Sequence, residues 1–336
     1  MRERCVASVN ALTVLAAASA VVMLSSAPVF GQGGQAPKVA KVKTYKTPKT
    51  GWGDPDLQGV FTNNDESGIP LERPREFEGK RLEDVSDSEL AELRKERNDA
   101  AVERAPNLGV LPGSNPVHWF ENFGAKNSRA WLVVDPPDGR VPPLVAEAQG
   151  RRGPAGGSSF GNGPFNSYLD FSLYDRCITR GVPGSMMPAI YGNAYQIVQG
   201  PGYVAIRYEM IHEARVIPLD NRPHSSDKIR MFMGDAKGRF EGDTLVVETT
   251  NFSSRTLYRN ASENLKIVER FRRVAPDVVE WSVTLDDPHT WTRPWTYAMD
   301  LTKKDDTQQP FEYACHEGNY AVRNMLSAAR EAEKAK

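Results

Sequence analysis

Along residues 194–301 apolar side chains recur at every second position in short runs, and turn-forming residues separate the runs. The runs cover residues 195–199, 203–218, 229–233, 244–250, 265–274, 278–285 and 292–301. Alternation of this kind marks strands with one buried face. Between them lie Gly200-Pro201-Gly202, the 220–223 and 235–242 segments, Ala275-Pro276-Asp277 and Asp286-Asp287-Pro288. Connections this short join antiparallel neighbours, so a meander is predicted. Upstream, Asp54-Pro55 predicts a turn followed by a short strand through Phe61, and a hairpin is expected from 130–134 to 140–145 across Pro136–Gly139. Ser86 and Glu89 have capping-box spacing, which predicts a helix over 87–104 with a thin apolar face at Leu90 and Leu93. Asn319 is expected to cap a last helix running to about Lys334.

Side-chain parity says what shares each buried stripe. Val204, Ile206, Tyr208 and Met210 lead to His212, with Arg207, Glu209, Glu213 and Arg215 on the opposite, solvated face. Glu269 falls among Leu265, Ile267 and Phe271. The stripe of Trp281 leads to Asp287, that of Met231 and Met233 to Asp235, and Arg293 shares parity with Trp291, Trp295 and Tyr297. A single bulge would reverse any of these assignments. Burying a charge is costly unless it is paired. Two readings follow: Glu269 and Arg293 form an internal ion pair beside a core His212, or these groups line a wet cavity.

The N-terminus sets the compartment. Arg2 and Arg4 precede an apolar run from about Val6 to Leu24, and small residues lead to Gly31, which reads as a signal peptide over 1–31 cleaved before Gln32. The run is nearly long enough for an uncleaved anchor. A polar, lysine-rich tether is expected over 32–50 and a single β-rich domain over 51–336. Export removes Cys5 and leaves Cys177 and Cys315, which in an oxidising space suggests a disulfide, with two buried thiols as the alternative. A periplasmic or secreted location follows, with no membrane association after cleavage. The formal net charge of −1 argues against a nucleic-acid partner, which would need a basic face.

In the cavity reading His212 and a carboxylate, Glu269 or Asp287, act as an acid/base pair. Arg293 holds an anionic group, and Tyr208, Asp235, Trp281, Trp291, Trp295 and His316 line a site for a small aromatic or carbohydrate-like ligand. His316 enters the set because it adjoins Cys315. His118, His224 and His289 lie in loop contexts. No histidine pair has the spacing of a local zinc motif, no Gly-x-Ser-x-Gly elbow occurs, and the glycine-rich 150–164 stretch lacks the lysine and helix of a phosphate loop. Neither metal nor cofactor is expected, and that stretch reads as a mobile loop.

The segments from Gly238 to Phe252, Thr292-Arg293-Pro294-Trp295-Thr296 and Tyr313 to Asn319 resemble a widespread group of secreted bacterial proteins, many from soil organisms. The resemblance implies export and a shared β-rich domain, and it brings no activity. The expected architecture is therefore mainly β, an antiparallel meander that could close into a lipocalin-like barrel, with flanking N- and C-terminal helices. Closure would remove edge strands. The expected function is small-molecule binding, extended to acid/base catalysis of lyase, isomerase or hydrolase type. The alternative is a non-catalytic envelope-interaction module.

Overall fold

Ten strands and two α-helices make up the regular structure of the computed structural model, which describes residues 45–104, 120–121, 123–151, 165–305 and 309–334. The proposed signal peptide and its cleavage point, His118, and all of the glycine-rich stretch beyond Arg151 lie outside the described residues. The strands are β1 (Gly59–Thr62), β2 (Val133–Asp135), β3 (Ala194–Gly200), β4 (Tyr203–Tyr208), β5 (Ala214–Pro218), β6 (Asp235–Glu241), β7 (Thr244–Thr250), β8 (Lys266–Ala275), β9 (Val278–Asp286) and β10 (Trp295–Lys303). They form one antiparallel sheet in the order β5-β4-β3-β1-β10-β9-β8-β7-β6, with β2 added beside β10.

The sheet rolls. Arg215 on β5 and Glu269 on β8 are separated by five strands along the ladder, yet their side chains meet at 2.6 Å. At the ends of the roll, a Cβ placed on Gly238 of β6 would lie 2.8 Å from the Ile217 side chain of β5 and 2.7 Å from that of Leu219. The outer strands therefore touch through van der Waals contact, and among the described residues no hydrogen-bonded ladder joins them. The enclosed face carries the core in rows set by the register. Leu245, Phe271, Trp281 and Met299 form one row, and Val247, Glu269, Val283 and Tyr297 the next.

Several expectations change. The run at 203–218 is two strands, because a 3-10 turn at Met210–His212 with Ile211 at φ 64° reverses the chain between β4 and β5. Residues 229–233 form no strand, and only Met231 bridges, to Phe252. The 235–242 segment, expected as a turn, is β6, an edge strand whose polar sequence hides its pairing with β7. The expected 130–145 hairpin reduces to β2 on β10, with Leu144 bridging Trp291. Residues 45–50, expected in the tether, are packed: Thr47 is buried and Lys49 pairs with Asp243.

The helices occupy the flanks. Helix α1 (Asp87–Arg104) opens with the expected reciprocal bonds, Ser86 N–H to Glu89 at 3.0 Å and Glu89 N–H to Ser86 Oγ at 3.3 Å. Its thin apolar face is supplemented by Arg94 and Arg97, which donate to Asn127 and to the Ala130 carbonyl. Helix α2 (Ala321–Lys334) starts two residues after Asn319, whose amide instead donates to the Asp175 carbonyl and to Cys177 Sγ. Cys177 and Cys315 form a disulfide that fastens the C-terminal segment to the 165–187 segment. Among the described residues no helix is long and apolar enough to cross a membrane.

Candidate functional site

Inside the roll is one fully buried ion pair. Arg215 donates to both carboxylate oxygens of Glu269, at 2.6 and 3.1 Å, and Trp281 Nε1 adds a third donor at 3.1 Å. Burial works against the Arg215 charge, but the adjacent Glu269 outweighs it and holds the guanidinium above its ordinary pKa. Removing one partner of such a pair strands the other and costs about 3 to 5 kcal/mol. Tyr208 and Tyr297 stand close by, both pushed up by burial. Tyr297 points at Tyr258 without closing a well-formed hydrogen bond, and Trp295 Nε1 has no protein acceptor. The interior is thus apolar around one electrically balanced pair.

A cavity of about 420 Å³ opens where two irregular segments, 173–187 and 255–260, meet. Buried Leu173 gives it an apolar floor with Val182 and Leu257, the last two of which belong to the main core, against which Met187 and Tyr258 also pack. Tyr174 and Tyr258 supply aromatic walls, and Arg180, Arg255 and Arg259 supply the charge. Arg180 lies over the Tyr174 ring at 5.5 Å. Among the described residues no carboxylate lines the cavity. Behind it the Thr179 hydroxyl donates to Glu213 at 2.7 Å. Burial pushes Glu213 up to about 7, against the opposing pull of Thr179 and Arg215.

Two residues lining this opening, Arg259 and Asn260, and two in neighbouring segments have left-handed backbone. Cys177, Ile211, Arg259 and Asn260 all have left-handed φ, between 51° and 64°. A β-branched residue such as Ile211 adopts that region rarely, and strain of this kind is concentrated in ligand clamps and switch segments. The 258–262 turn is fastened by Asp287, which accepts from the Ser262 N–H at 2.5 Å, the Ser262 hydroxyl at 2.9 Å and the Thr290 hydroxyl at 2.5 Å. Arg151 adds bonds to the Asn260 carbonyl and to Thr290.

The residues singled out from the sequence fall into four places. Glu269, Tyr208, Trp281 and Trp295 share the buried interior, with Trp291 packed edge-on against Trp295 at 5.5 Å. Asp287 sits at the end of β9, holding a wall of the cavity. Asp235 is elsewhere, bonded to the Ser225 N–H at 2.7 Å and to His224 at 3.2 Å. Arg293 is exposed and faces Asp135 at 3.6 Å, and His316 lies in an exposed turn beside the disulfide. Glu269 therefore pairs with Arg215 and not with Arg293. Parity failed at Arg293 because β10 begins only at Trp295, so the residue precedes the alternation. The backbone of His212 lies in the turn between β4 and β5 rather than on a strand, and its side chain is outside the described residues.

Sequence reasoning missed Arg215, Glu213, Arg180, Arg255, Arg259 and Tyr258. Arg215 was assigned to solvent because parity was counted through Ile211, where the chain turns back. The cavity arginines lie in segments without periodicity, so alternation says nothing about them.

No protein-family model matches the chain, and no curated protein matches it. Among solved structures the chain is similar to a secretary abundant heat soluble (SAHS) protein from Ramazzottius varieornatus, at 12% identity, 40% coverage of this chain, 87% of that chain and a TM-score of 0.23. It is also similar to a mutant of the fluorescent protein UnaG, at 10% identity, 39% and 86% coverage and a TM-score of 0.22.

Proposed function

We propose that this chain is an exported binding protein for a small molecule with a flat, aromatic body, held in the cavity where the 173–187 and 255–260 segments meet over the rolled sheet. The observation that carries this reading is the cavity itself. Its volume of about 420 Å³ falls within the usual range for ligand sites, and its apolar floor, aromatic walls and few polar groups match their usual lining. The Cys177–Cys315 disulfide fits an oxidising compartment. A lipocalin-like cup describes the shape that the rolled sheet gives this reading.

Binding is better supported than turnover. A general acid or base needs a proton or lone pair facing the substrate. Glu269 is occupied by Arg215 and Trp281, and Asp287 by Ser262 and Thr290.

Gly184 provides a direct test, because it lines the cavity, has nothing within 4 Å of where its Cβ would lie, and has no left-handed backbone. Gly184→Trp is expected to fill the cavity without strain. In fluorescence titrations with 8-anilinonaphthalene-1-sulfonate, the unsubstituted chain should show saturable binding and the variant at least ten-fold weaker binding at unchanged thermal stability. Equal binding by the two would place the ligand elsewhere.

A further inference from the structure

We infer that the ligand is an organic oxyanion, a carboxylate or sulfonate group on a flat apolar body, taken up between Arg180 on one wall and Arg255 and Arg259 on the other. This rests on the proposed binding role of the cavity and names the class of molecule it selects.

Three arginines are among the residues lining one hollow, and no carboxylate of the described residues is. None of the three forms an ion pair with a described carboxylate, whereas Arg129, Arg215, Arg239, Arg270 and Arg272 each have one. An anion placed in a hollow lined by three arginines and no carboxylate gains charge-assisted hydrogen bonds without meeting a like charge. Arg180 lies over the Tyr174 ring at 5.5 Å, a cation–π contact that consumes no N–H donor. Arg259 and its neighbour Asn260 hold consecutive left-handed conformations, φ 51° and 61°, a backbone cost that fixes where the Arg259 side chain leaves the chain. The aromatic walls and apolar floor accommodate the body of the ligand, so the arginines define its head.

The buried Arg215 is not a competing anion site, because Glu269 already takes both of its terminal nitrogens. The selectivity therefore belongs to the opening and not to the interior.

Two probes with the same aromatic body separate this inference from the binding role. 8-Anilinonaphthalene-1-sulfonate carries a sulfonate, and N-phenyl-1-naphthylamine lacks it. The expected result is at least ten-fold tighter binding of the sulfonate, an affinity that falls as salt is raised, and loss of the preference in Arg180→Gln/Arg255→Gln/Arg259→Gln. Circular dichroism and thermal melting of that variant serve as the fold control, since Arg255 and Arg259 are exposed. If both probes bind equally well and Gly184→Trp still blocks them, the cavity binds small molecules but the oxyanion class is wrong. If neither probe binds, or Gly184→Trp has no effect, the binding role fails and this inference fails with it.

Discussion

At the scale of single residues, the decisive question is which ionisable groups are satisfied. Glu269 and Arg215 satisfy each other through two hydrogen bonds. Glu213 is different, because burial lifts its carboxyl to about 7 from an ordinary 4.5, and among the described residues only Thr179 donates a side-chain bond to it. Between these values the folded chain keeps a proton that the unfolded chain has lost. Stability is therefore highest below about pH 4.5 as far as this group is concerned, falls as pH rises toward 7, and levels off above it. The total loss is about 3 kcal/mol at most, since Glu213 is partly exposed. Glu213→Gln keeps an acceptor for Thr179 and removes the titration. Urea melts at pH 5 and pH 8 should show a smaller difference for the variant than for the parent chain, and identical differences would mean that Glu213 titrates normally. The inward placement of Glu269 was legible from parity alone. That of Arg215 was not, because one left-handed residue, Ile211, inverts the count for the rest of that run.

At the scale of elements, strands buried on one face announced themselves and edge strands did not. β3, β7, β8 and β9 follow the alternation to within a residue or two, because each has a paired neighbour on both sides and a continuous apolar stripe. β6 carries Asp-Ala-Lys-Gly-Arg-Phe-Glu, in which Ala236 and Gly238 are the small inward residues, so no apolar stripe exists to be read. The reason for that smallness is the seam: Gly238 lies where the side chains of Ile217 and Leu219 from the far end of the sheet come to rest. Any side chain there must push β5 and β6 apart. Gly238→Val is expected to destabilise the fold by about 1 to 3 kcal/mol, the usual cost of overpacking, and to raise amide exchange in β5 and β6 before the other strands. A loss confined to β8 and β9 would contradict a seam at this position. Helix α1 was legible because its first turn is coded locally by Ser86 and Glu89. Its attachment through Arg94 and Arg97 to the 127–130 segment was not, since it depends on contacts some thirty residues away.

At the scale of the whole molecule, the sheet and the cavity are stabilised by different means, and the disulfide belongs to the second. The strands hold one another through a continuous ladder, but the 173–187 wall contains no strand, and α2 buries none of its residues. That wall is tied to the C-terminal segment by the Cys177–Cys315 bond, spanning 138 residues, and by the Asn319 amide on the Asp175 carbonyl, while Arg330 reaches the Phe165 and Asn166 carbonyls just upstream. Closing so long a loop stabilises the chain by an amount near the upper end of the usual 2 to 5 kcal/mol, through restriction of the unfolded state. Cys177→Ala/Cys315→Ala should accordingly lower the melting temperature by roughly 5 to 15 °C. The same pair of changes frees one wall of the cavity, so affinity for 8-anilinonaphthalene-1-sulfonate should fall several-fold even at temperatures where far-ultraviolet circular dichroism shows the sheet intact. A global loss of stability with unaltered affinity would show that the wall is held without the disulfide, by contacts such as the Thr179 hydroxyl on Glu213 and the Asn63 amide on the Met186 carbonyl. A loss of affinity that precedes any change in the sheet would show that the site depends on a covalent tie between two irregular segments, and that its binding is sensitive to the redox state of the compartment.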